Sequence, residues 1–234
     1  MTTQNFRNLK KITTYFENGN VEFEFFIDCE SIDLDKEGLY QSFYESGQLR
    51  SKGNYLNGKL EGEFTVFHEN GRIKRKGFYA SGEYSGRIRE YFENGSKKVI
   101  ANYRYGKLDA KKLIFDKKGR LVEKSYYFEG MLFGDCERYR FLEDGSSVKE
   151  TGKFEYGKKH GEFKFFEYKK GEYVLVDIHY YRNDRRMDIE SDGSELEVDS
   201  IEEKIEFMKG YLEYVEICER NPSYKSKLLS RISK

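Results

Sequence analysis

From Gly38 onward the chain repeats itself every 24 residues, and this one feature constrains it more than any other. A unit so short cannot bury an apolar face alone, so the copies must stack on one another to make a continuous structure. Four windows align without gaps: GLYQSFYESGQLRSKGNYLNGKLE from Gly38, GEFTVFHENGRIKRKGFYASGEYS from Gly62, GRIREYFENGSKKVIANYRYGKLD from Gly86, and AKKLIFDKKGRLVEKSYYFEGMLF from Ala110. Shared positions are the glycines Gly47, Gly71, Gly95 and Gly119, the aromatics Phe43, Phe67, Tyr91 and Phe115, the tyrosines Tyr55, Tyr79, Tyr103 and Tyr127, and a second glycine set at 58, 82, 106 and 130. Two longer units follow from Gly134 and Gly161, and Tyr15 to Gly19 begins an earlier one. The array therefore spans residues 10–188, with units starting near residues 10, 38, 62, 86, 110, 134 and 161, after a lead-in over 1–9.

Each unit reads as a β-hairpin. Glu69-Asn70-Gly71-Arg72 carries Asn-Gly, the dipeptide that tolerates positive φ at both central positions of a type I′ turn. A two-residue loop there sets residue 67 opposite 74, 66 opposite 75 and 64 opposite 77. One face then holds Phe64, Val66, His68, Ile73, Arg75 and Gly77 and is the more apolar. Small residues at 53, 77, 101 and 125 leave room for a bulky neighbour, taken to be the tyrosines or Leu60, Leu108 and Leu132 from the linking turns.

The opposite face sets Phe43, Phe67 and Tyr91 beside Arg50, Lys52, Lys74, Lys76 and Lys98. Phe43 with Arg50, Phe67 with Lys74 and Tyr91 with Lys98 are the predicted cross-strand pairs, each worth about 0.5–1 kcal/mol through cation–π contact and stem packing. This stripe is either a solvated face in which long basic side chains shield rings, or a partner-binding ladder. Seven hairpins advancing two strand spacings each would make an elongated open antiparallel meander roughly 65 Å long.

Composition supports a β reading. There are 20 Tyr and 19 Phe, no Trp and a single proline, Pro222, so strands are favoured and ladders uninterrupted. Net charge is zero but segregated: Gly71 to Ser125 holds 16 basic against 6 acidic residues, while Asp184 to Glu219 holds 4 against 13. Such a field steers an acidic partner. No stretch approaches the roughly 18–20 apolar residues that cross a bilayer, and residues 1–16 lack an apolar signal core. Cys29, Cys136 and Cys218 are odd in number and far apart, so neither a disulfide framework nor a metal knuckle is indicated, and a reducing cytoplasm fits.

Beyond the array, residues 189–199 read as an acidic linker and 200–234 as a C-terminal helical segment. Ser200 to Glu203 is a capping box, and Ile201, Ile205, Met208, Leu212 and Val215 follow a helical period. That helix is expected to cap the last hairpin or cover the apolar face, with docking to a partner as its other role.

The pattern carried by Gly38, Phe43, Gly47, Tyr55 and Gly58, and by their equivalents, resembles the MORN repeat in its bacterial YwqK-type antitoxin variant. The resemblance covers about three quarters of the chain and implies an open antiparallel meander in a protein-interaction role, with a cognate toxin as one partner. Eukaryotic relatives point instead to membranes and phospholipids. The residues themselves offer no catalytic pattern: His68, His160 and His179 form no zinc spacing, and no phosphate-binding or nucleophile motif occurs. The expectation is therefore a mainly β, non-enzymatic protein-binding repeat module without metal or cofactor, an antitoxin or immunity protein. Anionic lipid or nucleic acid held on the basic-aromatic face is the alternative.

Overall fold

The computed structural model describes residues 8–187. The described residues all belong to one compact unit. The expected acidic linker and C-terminal helical cap lie outside the described residues.

Seven hairpins follow one another: β1 (Leu9–Tyr15) with β2 (Val21–Asp28), β3 (Lys36–Phe43) with β4 (Leu49–Leu56), β5 (Lys59–Phe67) with β6 (Ile73–Ala80), β7 (Glu83–Tyr91) with β8 (Lys97–Arg104), and β9 (Lys107–Phe115) with β10 (Leu121–Phe128). After the short β11 (Met131–Leu132) come β12 (Gly134–Phe141) with β13 (Ser147–Glu155), β14 (Lys158–Lys169) with β15 (Glu172–Arg182), and finally β16 (Arg185–Met187). All lie in one antiparallel sheet in chain order, β11 pairing only with β10, and the sheet does not close on itself. The expected open meander is therefore the fold of the described residues.

The Asn-Gly turns differ from the sequence expectation, and the turn type expected there occurs at the linking turns instead. At Asn70-Gly71 only Gly71 has positive φ (79°), His68 N–H donates to the Arg72 carbonyl at 2.8 Å, and Gly71 N–H donates to the His68 carbonyl at 2.9 Å. This is a three-residue loop, a type I turn closed by a left-handed glycine, not a type I′ turn. The type I′ geometry sits at the linking turns, as at Asn57 (49°) and Gly58 (74°), or Ser81 (52°) and Gly82 (85°). Stacking explains the exchange. Asn70 Oδ1 accepts from Arg72 N–H, while its Nδ2 donates to the Glu93 carbonyl of the next hairpin at 3.0 Å. Asn18 and Asn94 reach the Glu45 and Lys117 carbonyls in the same way. The asparagine is selected for tying turn to turn, which outweighs its local preference.

The longer loop changes the register only locally. Phe67 faces Ile73, yet Val66 faces Arg75 and Phe64 faces Gly77, because a bulge after the turn skips Lys74. The extra loop residue and the bulge cancel, so the faces expected for the body of each hairpin hold while the pairing beside the turn does not.

A second, wider bulge joins each hairpin to the next. Lys52 faces Thr65 and Asn54 faces Glu61, so residues 62–64 together oppose Gly53. Gly62 supplies the left-handed residue there (φ 78°), with open space where its side chain would be. The bulge swings Phe64 onto the face of Gly53. The neighbours that fill the small-residue gaps are thus the next hairpin's Phe64, Ile88 and Phe163, against Gly53, Gly77 and Gly152, in place of the tyrosines or linking-turn leucines expected.

Since the described sheet is a single layer, its core is a strip along one face. Its buried apolar residues are Ile88, Ala101, Cys136, Phe154 and Phe163. Flanking them runs a spine of rings: Tyr40 on Tyr55 (5.4 Å between centroids), Phe64 on Tyr79 (5.5 Å), Tyr79 on Tyr84 (4.5 Å), Tyr84 on Tyr103 (5.1 Å), and Phe154, Phe163 and Tyr181 farther along. Such contacts contribute about 0.5–1.5 kcal/mol each beyond area burial, which lets a one-layer sheet hold together.

Candidate interaction surface

Two rows of side chains cross the sheet at right angles to its strands. The first is a line of directly opposed residues, Gln41, Lys52, Thr65, Lys76, Arg89, Ile100, Leu113, Lys124 and Glu137, each facing the next across one ladder. Lys52 and Lys76 take the places the repeat assigned them, and Arg89 joins them. Sequence reasoning missed Arg89 because its pairing with Lys76 depends on the wide bulge between hairpins. Not every cation here is available: Lys76 Nζ lies 3.0 Å from Glu63 Oε1, and Lys124 pairs with Glu137.

The second row is made by the bulges beside the turns. Ser42 faces Ser51 and Phe43 faces Leu49, which skips Arg50; the same geometry skips Lys74 in β6. In β8, Glu90 faces Val99 and Tyr91 faces Lys97, so Lys98 is skipped. Arg50, Lys74 and Lys98 are consequently not the direct partners of Phe43, Phe67 and Tyr91; Leu49, Ile73 and Lys97 are. Freed from the ladder, the three cations are exposed, and none forms an ion pair among the described residues. Phe43, Phe67 and Tyr91 are half-buried at the ends of β3, β5 and β7. Lys98 Nζ instead lies 5.7 Å from the centroid of the Phe92 ring.

Lys74, Tyr91 and Lys98 meet around an open hollow of about 580 Å³ that also touches His68, Arg75, Glu90, Phe92 and Lys117. His68 is fixed: its Nε2 lies 3.0 Å from the Tyr91 carbonyl, and because a carbonyl only accepts, Nε2 carries the proton. Tyr44, one unit earlier, makes the equivalent bond to the Phe67 carbonyl at 2.7 Å. The slot that these two residues share is thus a strap between hairpins. Arg75 is engaged with Glu90 at 2.7 Å and with the Tyr84 hydroxyl at 2.8 Å, which raises its pKa against the opposing effect of burial.

The arrangement offers charge and ring surface more than reactive groups. Burial pushes the Cys136 thiol up to about 11, away from the thiolate that would act as a nucleophile or a metal ligand. Among the described residues no group of three or more His, Cys, Asp or Glu is placed to hold a metal ion.

Three consecutive segments, residues 36–57, 60–81 and 84–105, match the family model described as the MORN repeat variant. Each match covers one hairpin, from just before a left-handed glycine to the first residue of a type I′ turn. These matches support a MORN-repeat protein. A search of curated proteins finds no match to the chain.

Proposed function

We propose that this chain is a non-enzymatic protein-binding repeat module, that it works in the cytoplasm, and that its partner is a toxin it neutralises in the manner of an antitoxin or immunity protein. The observation that supports this most is the row of exposed cations Arg50, Lys74 and Lys98, none of which forms an ion pair among the described residues. Their charges can pair with the acidic groups of a partner, and the partly covered rings Phe43, Phe67 and Tyr91 keep apolar surface for contact, as suits the mixed character of a protein interface. The repeat-family matches add to it, since stacked repeats present extended binding surfaces.

The test is affinity capture from the native host with cross-linking, comparing the natural chain with Lys74→Glu/Lys98→Glu. A partner recovered by the first and lost by the second is the expected result. Recovery of no protein, or equal recovery by both, overturns the assignment of this face.

The alternative reading, anionic lipid or nucleic acid on the same face, draws on the same cations. It is weakened by the acids that engage cations of the first row, Glu63 on Lys76 and Glu137 on Lys124, which cut the charge available for phosphate contacts. Salt-sensitive binding to anionic vesicles or to a single-stranded oligonucleotide, abolished in the double variant, would reinstate it.

A further inference from the structure

The bulge-displaced residue recurs in every hairpin of the first five, and its identity changes along the array. In β2, Thr14 faces Phe23 and Tyr15 faces Val21, which skips Glu22. Then come Arg50, Lys74 and Lys98, and in β10 the skipped residue is Val122, since Leu121 faces Phe115 and Glu123 faces Ile114. Because all five hold one repeat position in one register, they share a face. Three cations thus stand in a row that begins after an acid and stops at an apolar residue.

The spacing of that row carries chemical information. Equivalent positions in successive hairpins are two strand spacings apart, about 9.6 Å. A polyproline II segment rises about 3.1 Å per residue with three residues per turn, so its side chains at every third position share one side, about 9.3 Å apart. A β-strand presents same-side residues about 6.6 or 13 Å apart, neither of which fits. The residues that follow the facing strands, Tyr44, His68 and Phe92, repeat at the same interval, and the Phe92 ring centroid lies 5.7 Å from Lys98 Nζ. Aromatic faces beside the cations are surfaces on which proline rings pack.

We infer that Arg50, Lys74 and Lys98 form a three-toothed comb for an acidic, proline-rich segment of a partner protein, held in polyproline II conformation with a carboxylate at every third residue. The inference rests on the protein-binding reading and specifies the partner's chemistry. The segment runs across the strands, one carboxylate on each tooth, and its length is set at seven residues by the end of the comb at Glu22 and Val122.

Binding of the full-length chain to a synthetic peptide, three repeats of Glu-Pro-Pro with blocked ends, is to be measured by isothermal titration calorimetry at low salt. The comparison is an isomer of the same composition with its three glutamates adjacent. The spaced peptide should bind at least about tenfold more tightly, a difference built from three exposed charge contacts and the ring contacts between them. The variant Arg50→Gln/Lys74→Gln/Lys98→Gln should lose that preference, while Lys74→Arg and the control Lys59→Gln/Lys107→Gln/Lys153→Gln keep it. Equal binding of the two isomers, a preference that survives in the triple variant, or absence of binding overturns the comb. Anionic vesicles that bind with the same triple-variant dependence while the spaced peptide does not would overturn it as well. If the peptide fails but a native partner is still captured, the comb falls and the protein-binding reading stands.

Discussion

The Phe64 ring occupies the space a side chain on Gly53 would need: a Cβ placed on Gly53 would stand 2.4 Å from Phe64 Cδ2. The same contact recurs between Gly77 and Ile88 (2.1 Å) and between Gly152 and Phe163 (2.5 Å). Where the facing residue is Lys112, the gap holds Ala101. The small residue of one unit and the third residue of the next thus meet across the wide bulge.

Gly77→Ala is therefore expected to destabilise the array by about 1–3 kcal/mol through overpacking, although φ at that position suits any residue. Adding Ile88→Ala should cost less than the two single changes summed, because the new methyl would then enter the space the isoleucine vacates. Urea denaturation of the four proteins measures this coupling. Strict additivity would show that the two positions do not share the space.

Much of the fold was legible in the sequence because its main determinants repeat. Turn glycines and the tyrosine row mark the hairpins, and an unbroken period of 24 residues leaves little besides an open meander. What stayed hidden were the two bulges. A bulge is a difference of one or two residues in pairing that alternation cannot reveal, since the body of the hairpin keeps its faces: Val66 still meets Arg75. For the candidate site the consequence was larger. Arg50, Lys74 and Lys98 were placed beside Phe43, Phe67 and Tyr91, whereas the structure skips them. The pairing of a small residue with a larger one at positions 53 and 64, 77 and 88, and 101 and 112 was the signal that could have located the wide bulge.

Ala110 sits where the other units have a glycine, at φ 63°. A left-handed alanine costs about 1–2 kcal/mol, of which the greater unfolded-state freedom of glycine would return a part. Ala110→Gly should stabilise the protein by about 0.5–1 kcal/mol, and the reverse change, Gly62→Ala, should cost a similar amount. No atom lies within 4 Å of a Cβ on Gly62, so that cost is conformational alone. A shift of the urea midpoint in these two directions is the readout, and a destabilised Ala110→Gly would contradict the account.

The strap from the Tyr44 hydroxyl to the Phe67 carbonyl is repeated by His68 on Tyr91 and stops at Phe92, which has no donor. Tyr44→Phe should lose about 0.5–1.5 kcal/mol, the net value of one hydrogen bond. Phe92→Tyr places a hydroxyl at the equivalent slot toward the Phe115 carbonyl and should gain up to a similar amount. Amide hydrogen exchange across β7 to β10 gives the local answer, with slower exchange expected in Phe92→Tyr and faster exchange around β3 to β6 in Tyr44→Phe.

Acid should act on this sheet with opposite signs at two carboxylates. The hydrogen bond from Lys124, reinforced by the Tyr139 hydroxyl and by the charges of Lys124 and Lys149, holds the Glu137 carboxyl below the usual glutamate range against the effect of burial. Its unfolded form takes up a proton first as pH falls, so its stabilisation is complete above about pH 4.3 and is lost through the lower folded value. Asp109 is raised by burial, against the pull of Arg104 and the Glu129 N–H. Its contribution is full below about pH 3.9 and is lost as pH rises through the folded value. Urea unfolding between about pH 3 and pH 7 should then show the natural chain gaining on Glu137→Gln as pH rises and losing ground to Asp109→Asn over the same range. Parallel curves for either variant would mean that its carboxyl titrates alike in the folded and unfolded chain.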